Sequence, residues 1–163
     1  MKNKKVLFLI QAAMIAAIYV VLTLVFQAIS FGQIQVRIAE ALTILPAFTP
    51  AAIPGLFIGC LIGNIIGGSV LPDIIFGSLA TLIGAYFTYL LRKKSKYLAP
   101  LPPIISNIII VPLILRYAYG INLPVSFMML TVGIGEIISC GVLGMILYTP
   151  LQKHQNRIFK TIV

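Results

Sequence analysis

Acid is scarce in this sequence. Its 163 residues include 3 Asp and Glu against 12 Lys and Arg, with no tryptophan, a single histidine and 2 cysteines. Charged residues make up 9% of the chain and hydrophobic residues 60%. A soluble globular domain, in which about a quarter of residues are charged, is excluded. There is no GxxxxGK[ST] phosphate loop and no Gly-Lys dipeptide, which excludes ATP use by that route. The histidine, His154, lies in a basic tail, and neither HExxH nor a run of carboxylates at metal-ligand spacing is present, so no metal or cofactor is expected. Cys60 and Cys140 stand inside apolar runs without metal-ligand spacing and read as small buried hydrophobes.

What is present is apolar sequence in long runs. The length allows about six spans of roughly 20 residues, so the expectation is an all-α integral membrane six-helix bundle occupying 1–163 as one domain. The net charge of +9 does not require nucleic acid. Apart from Arg37 and Arg116, the basic residues fall at Lys2, Lys4 and Lys5, at Arg92 to Lys96 and at Lys153 to Lys160, all at ends of apolar segments. That is the positive-inside pattern, and it predicts N-terminus, Arg92 to Lys96 loop and C-terminus together in the cytoplasm, in a multi-pass protein of the cell membrane. The basic start followed by alanines has the look of a signal peptide, but the apolar run Val6 to Ala28 is too long for one and reads as a retained first helix.

In helix one, Ala12 with Ala16 and Ala13 with Ala17 form two overlapping small-xxx-small pairs, which let another helix approach closely, whether internal or from a partner. A linker from Ile29 to Ile34, turning at Gly32, leads to a short helix two that ends at the Pro46 to Pro50 region. Charge parity requires helix two to cross, because an even number of crossings must separate the N-terminus from the Arg92 to Lys96 cluster. Helix three, Ala51 to about Gly68, carries glycine at 55, 59, 63 and 67, a smooth ridge for tight intramolecular packing. Helix four starts around Pro72 and Asp73, where the carboxylate suits a first turn, and ends at Leu91. Helix five runs from about Leu101 to Tyr119 with a kink expected at Pro112. Helix six runs from near Pro124 to about Leu151 with Glu136 in its middle.

The few polar residues inside these runs carry the functional argument. In QIQVRIAEALTILPAFTP, from Gln33 to Pro50, a helix places Arg37 and Glu40 on one face with Thr43 and Ile44. A charge at membrane depth costs about 2.5 to 3.5 kcal/mol, so such groups face a bundle interior or a cavity. Glu136, with no charged neighbour within a turn, is the next pointer. Counting about 1.5 Å per residue from the outer helix ends predicts Glu136 about 20 Å deep and Asn107 about 18 Å deep. Glu40 and Asn64 come out only about 9 Å deep, below Arg37, Asp73 and Arg116 at the mouth. The expected site is a funnel open to the outside, suited to a small, flat, nitrogen-rich solute whose N–H and amino groups meet carboxylates and an asparagine amide. Phe31, Tyr117, Tyr119 and Phe127 are candidates to stack on it or members of an interfacial aromatic belt.

The strings QVRIAEALTILPAFTPAAIPGLFIGCLIGN and DIIFGSLATLIGAY are similar to the QueT family, substrate-binding S-components of energy-coupling factor (ECF) transporters. The resemblance runs from helix one through Glu136. It implies capture of a queuosine precursor, a 7-deazaguanine base such as queuine. It also implies docking of the helix-one alanines Ala12, Ala13, Ala16 and Ala17 on a coupling transmembrane subunit that carries two cytoplasmic ATP-binding subunits. The family pattern extends to Arg37, Glu40, Asn64, Asp73 and Glu136, and Asn107 joins them as a candidate from its depth. Glu136 is the first choice to accept the adjacent N–H and amino donors of the base, and Glu40 the second. Two other readings stand beside this one: an S-component for another vitamin-like solute, and an intramembrane enzyme using Glu40, Asp73 and Glu136. The enzyme reading lacks a nucleophile or metal motif. A stand-alone secondary transporter would need similarly interrupted halves that the sequence does not have.

Overall fold

The computed structural model describes residues 2–30 and 36–159. The expected turn at Gly32, Phe31 as a stacking residue, the end of the linker at Ile34, Gln35 at the start of helix two and Lys160 all lie outside the described residues. Within them every regular element is helical: α1 (Lys2–Val25), α2 (Gln27–Ser30), a 3-10 helix (Ile38–Ala47), α3 (Ala52–Ile66), a π stretch (Asp73–Gly77) continuing into α4 (Ser78–Leu91), a 3-10 turn (Lys96–Leu98), α5 (Leu101–Tyr117), α6 (Val125–Glu136), a second π stretch (Ile137–Leu143) and α7 (Gly144–Ile158). Four helical runs are long and apolar enough to cross a membrane: Lys4–Val25, Asp73–Leu91, Lys96–Tyr117 and Val125–Gln155. The surface is the inverse of a soluble protein's. Leu9, Met14, Val25, Ile66, Leu71, Leu130 and Ile146 are among many exposed large hydrophobics, while Arg37, Glu40, Asn64, Asp73, Asn107 and Glu136 are buried. Lipid is the solvent this surface suits.

Helix two is the main departure from the sequence reading. It is a 3-10 helix of 10 residues, about 20 Å long at roughly 2.0 Å per residue, well short of a hydrocarbon core of about 30 Å. It needs no lipid-facing surface, because Ala39 through Pro46 are all buried and α1, α3, α4 and α7 pack around it. In this winding residues three apart eclipse, so Glu40 and Thr43 stack in line and the Thr43 hydroxyl donates to the Glu40 carbonyl oxygen at 2.6 Å.

The glycine ridge does what its spacing predicts. A Cβ built on Gly55 would lie 2.7 Å from the Ala12 carbonyl oxygen, and one on Gly59 would lie 2.8 Å from Tyr19 Cβ and 3.1 Å from Ala16 Cα. Backbones this close exclude any side chain at those positions. Gly63 follows with Thr23, and Gln27 Nε2 donates to the Gly67 carbonyl at 3.2 Å. The partners climb both helices together, so α1 and α3 are parallel. The chain between them must therefore return, and the central 3-10 helix carries it back. α4 runs antiparallel to α3, since Asn64 meets the Asp73 carbonyl and Cys60 meets Thr81. α5 runs antiparallel to α4, since Ser106 donates to the Ala80 carbonyl and Thr88 to that of Ala99. The short connection from α5 to α6 adds one more antiparallel step, closed by Val111 and Leu115 against Met128 and Val132. Counting these steps gathers Lys4 and Lys5, Arg92 to Lys96 and Lys153 at one end. There Phe48, just past the central helix, stacks on Phe159 with ring centroids 5.8 Å apart and tilts against Tyr148 at 4.7 Å.

Candidate functional site

All three acidic residues of the chain are inside it. Glu40, Asp73 and Glu136 are 0%, 2% and 3% exposed, and they come from three different elements: the central helix, the first π stretch and the end of α6. Arg37, the extended residue that precedes the central helix, is buried with them, and its Nη2 pairs with Asp73 Oδ2 at 3.7 Å. The helical face expected to carry Arg37 beside Glu40 is not formed, because Arg37 is extended ahead of the 3-10 helix, and its ion pair is with Asp73 instead. Asp73 is not simply a first-turn carboxylate on a helix dipole. Tyr119, from the loop after α5, donates to the same Asp73 Oδ2 at 2.8 Å. Burial pushes the Tyr119 phenol above its usual pKa, which keeps its proton available for that bond. Gly77 leaves the room Asp73 uses, since a Cβ there would sit 2.8 Å from Asp73 Oδ1.

Glu40 and Glu136 form the second half of the site. Tyr19 of α1 donates a hydrogen bond to Glu40 Oε1, and Thr81 Oγ1 lies 3.2 Å from the same oxygen. The Cys140 thiol donates to Glu136 Oε2 at 3.1 Å and approaches the Glu40 carbonyl oxygen at 3.5 Å. Asn107 of α5 is buried close to both carboxyl groups. One ligand atom each from Glu40, Glu136 and Cys140 falls within 4.8 Å of the others, a donor set of a kind that can hold a metal ion. Glu40 therefore lies level with Glu136. The depth difference expected from a count of about 1.5 Å per residue is not found; Arg37 is extended, at about 3.3 Å per residue, and the 3-10 helix after it rises about 2.0 Å per residue, so both carry the chain deeper than that count allows.

Other placements follow from the same geometry. Asn64 Nδ2 contacts Cys60 Sγ at 3.7 Å and the Asp73 carbonyl at 3.4 Å, linking the two halves of the site through Thr81, whose hydroxyl is 3.4 Å from Cys60 Sγ. Arg116 does not join the mouth; it donates to the Leu123 carbonyl oxygen at 3.2 Å in the neighbouring loop. Tyr117 is 81% exposed and Phe127 49%, where an interfacial belt would place them. Of the helix-one alanines, Ala12 and Ala16 are buried at the crossing with α3, and Ala13 and Ala17 are exposed on the opposite side.

Sequence reasoning missed Tyr19, Thr81 and Cys140 as site residues, and offered Tyr119 as a stacking or belt aromatic where it is a hydrogen-bond donor to Asp73. Cys140 has a local signal, since it stands four residues after Glu136, but Tyr19 lies 21 residues from its partner and Tyr119 lies 46. It also missed both π stretches. A π turn widens the helix and often marks a functional site; here Asp73 opens one and Glu136 and Cys140 flank and occupy the other.

The model of the QueT transporter family matches residues 9–153. The chain belongs to the QueT transporter family. It is a membrane transport protein and not an enzyme. A search of curated proteins and a search of solved structures each found no significant match.

Proposed function

We propose that the chain is the substrate-capturing S-component of an ECF-type importer of the cell membrane, and that it takes a queuosine precursor, a 7-deazaguanine base such as queuine, from outside. A coupling transmembrane subunit and two ATP-binding subunits drive release inward. The observation that carries this reading is the meeting of Glu40 and Glu136, with oxygens within the 4.8 Å set, beside the Asn107 amide. An exocyclic amino nitrogen sends out two N–H bonds about 120° apart. With hydrogen bonds of about 2.8 Å their acceptors stand about 4.9 Å apart, so one amino group bridges such a carboxyl pair. Glu136 then also accepts the adjacent ring N–H, and Glu40 takes the outer amino hydrogen. Arg37, Asp73 and Asn64 close the site on the side of Tyr119.

The basic end is the cytoplasmic one by the positive-inside rule. Arg37, Asp73 and Tyr119 then face outward, as entry from outside requires. The exposed Ala13 and Ala17 give α1 a small-residue strip for the coupling subunit, while Ala12 and Ala16 serve the α1–α3 crossing on which that helix is held. Titration calorimetry of the purified protein with queuine and with adenine tests the reading. Adenine has no N–H beside its amino group at the matching edge. Binding of queuine alone is expected, and equal binding of both, or of neither, would sink it.

A further inference from the structure

Glu40 is held asymmetrically. Its Oε1 receives the Tyr19 hydroxyl and lies within reach of Thr81, whereas its Oε2 is buried with no hydrogen-bond partner among the described residues. A buried carboxylate oxygen left unpaired is expensive, and the hydrogen bonds on Oε1 decide which oxygen bears that cost. Thr81 cannot fix this alone. Its single proton has three acceptors in range, Glu40 Oε1 at 3.2 Å, Cys60 Sγ at 3.4 Å and the Gly77 carbonyl at 3.3 Å. Tyr19 is held more firmly: it is 1% exposed, its Cβ lies against Gly59, and its hydroxyl donates to Glu40 Oε1 with the Cys60 thiol as its other neighbour.

We infer that Tyr19 is a positioning residue for substrate: by occupying Glu40 Oε1 it aims Oε2 at the ligand, and so sets affinity for the amino group of the base without touching the base. The inference rests on the proposed reading of the site and extends it to a residue on α1. It also means that the position of α1 along α3 is felt at the carboxyl pair. A shift of α1 that withdrew the phenol would free Oε1, let the carboxyl rotate and loosen the grip on the amino hydrogen.

The test compares 7-deazaguanine with 7-deazahypoxanthine, which lacks the amino group, in calorimetric titrations of the native protein and of Tyr19→Phe. Tyr19→Phe keeps the ring against Gly59 and removes only the hydroxyl. Loss of one hydrogen bond to a charged group predicts about tenfold weaker binding of 7-deazaguanine, with less than about twofold change for 7-deazahypoxanthine. Equal loss for the two bases, or no loss for either, would overturn the role and leave Tyr19 as packing. A thermal-melting cycle with Glu40→Leu, which removes the acceptor, guards against a misfolded variant: Tyr19→Phe should lower Tm less in the Glu40→Leu background than in the native one. An unchanged Tm effect would show that the hydrogen bond does not exist and would overturn the inference. Native protein that bound neither base, with the thermal coupling intact, would overturn the substrate reading and the ligand-directed role together, a result distinct from binding that is merely insensitive to Tyr19.

Discussion

At the level of single residues the chain concentrates its scarce acid. Three carboxyl groups and one guanidinium are buried together in a surrounding where water offers little screening, so each hydrogen bond they make is electrostatically stronger than at a surface. Glu136→Gln keeps the shape but turns one acceptor into a donor that faces the ligand's own donors. The expected loss is about 2 to 4 kcal/mol, about 30-fold to 1000-fold in affinity. An analogue of the base without its amino group should lose less, because the native protein makes one bond fewer to it. Titration calorimetry with both ligands measures the difference, and equal losses would transfer the reading of the amino group to Glu40. Glu40, Asp73 and Glu136 were all legible as candidates, because an acid inside an apolar run has few structural excuses. Tyr19 and Thr81 were not, because a tyrosine or threonine in a membrane helix costs little and carries no comparable signal.

Among the elements, α1 has two faces with different duties. Ala16 is buried, with its carbonyl oxygen 3.0 Å from where a Gly59 Cβ would stand, so Ala16→Leu overpacks the crossing at about 1 to 3 kcal/mol and should lower Tm in detergent. Ala17 is exposed. Ala17→Leu should leave Tm and substrate affinity unchanged while reducing ATP-driven uptake by the reconstituted complex, because the added bulk holds a docking partner away. Uptake that survived Ala17→Leu would remove α1 as the docking helix. The every-fourth glycines announced a close crossing in the sequence, but not its partner, since spacing along one helix is silent about which helix lies opposite. The central helix shows the reverse case: its shortness and its need to return were legible, while its 3-10 winding was not.

For the molecule as a whole, the alternating helix directions gather the basic clusters at one end and the Arg37, Asp73 and Tyr119 group towards the other. With the basic end cytoplasmic, a cysteine introduced at Ser95 should be unreactive to an impermeant maleimide in intact cells and reactive after permeabilisation; labelling in intact cells would invert the topology and place the site's mouth inside. The sequence by itself determined that this is a helical membrane protein, where its apolar runs lie and which ionisable residues are anomalous within them, because those are properties of local composition measured against the cost of burying charge in lipid. Only the tertiary structure decided that Glu40 and Glu136 meet, that Asp73 takes Arg37 and Tyr119, that Cys140 belongs to the site, and that Ala12 and Ala16 are spent inside the bundle while Ala13 and Ala17 are not. Those facts depend on the relative depth and rotation of helices, which are fixed by backbone contact at Gly55 and Gly59, by two π turns and by an extended entry at Arg37, and no periodicity in the chain encodes them.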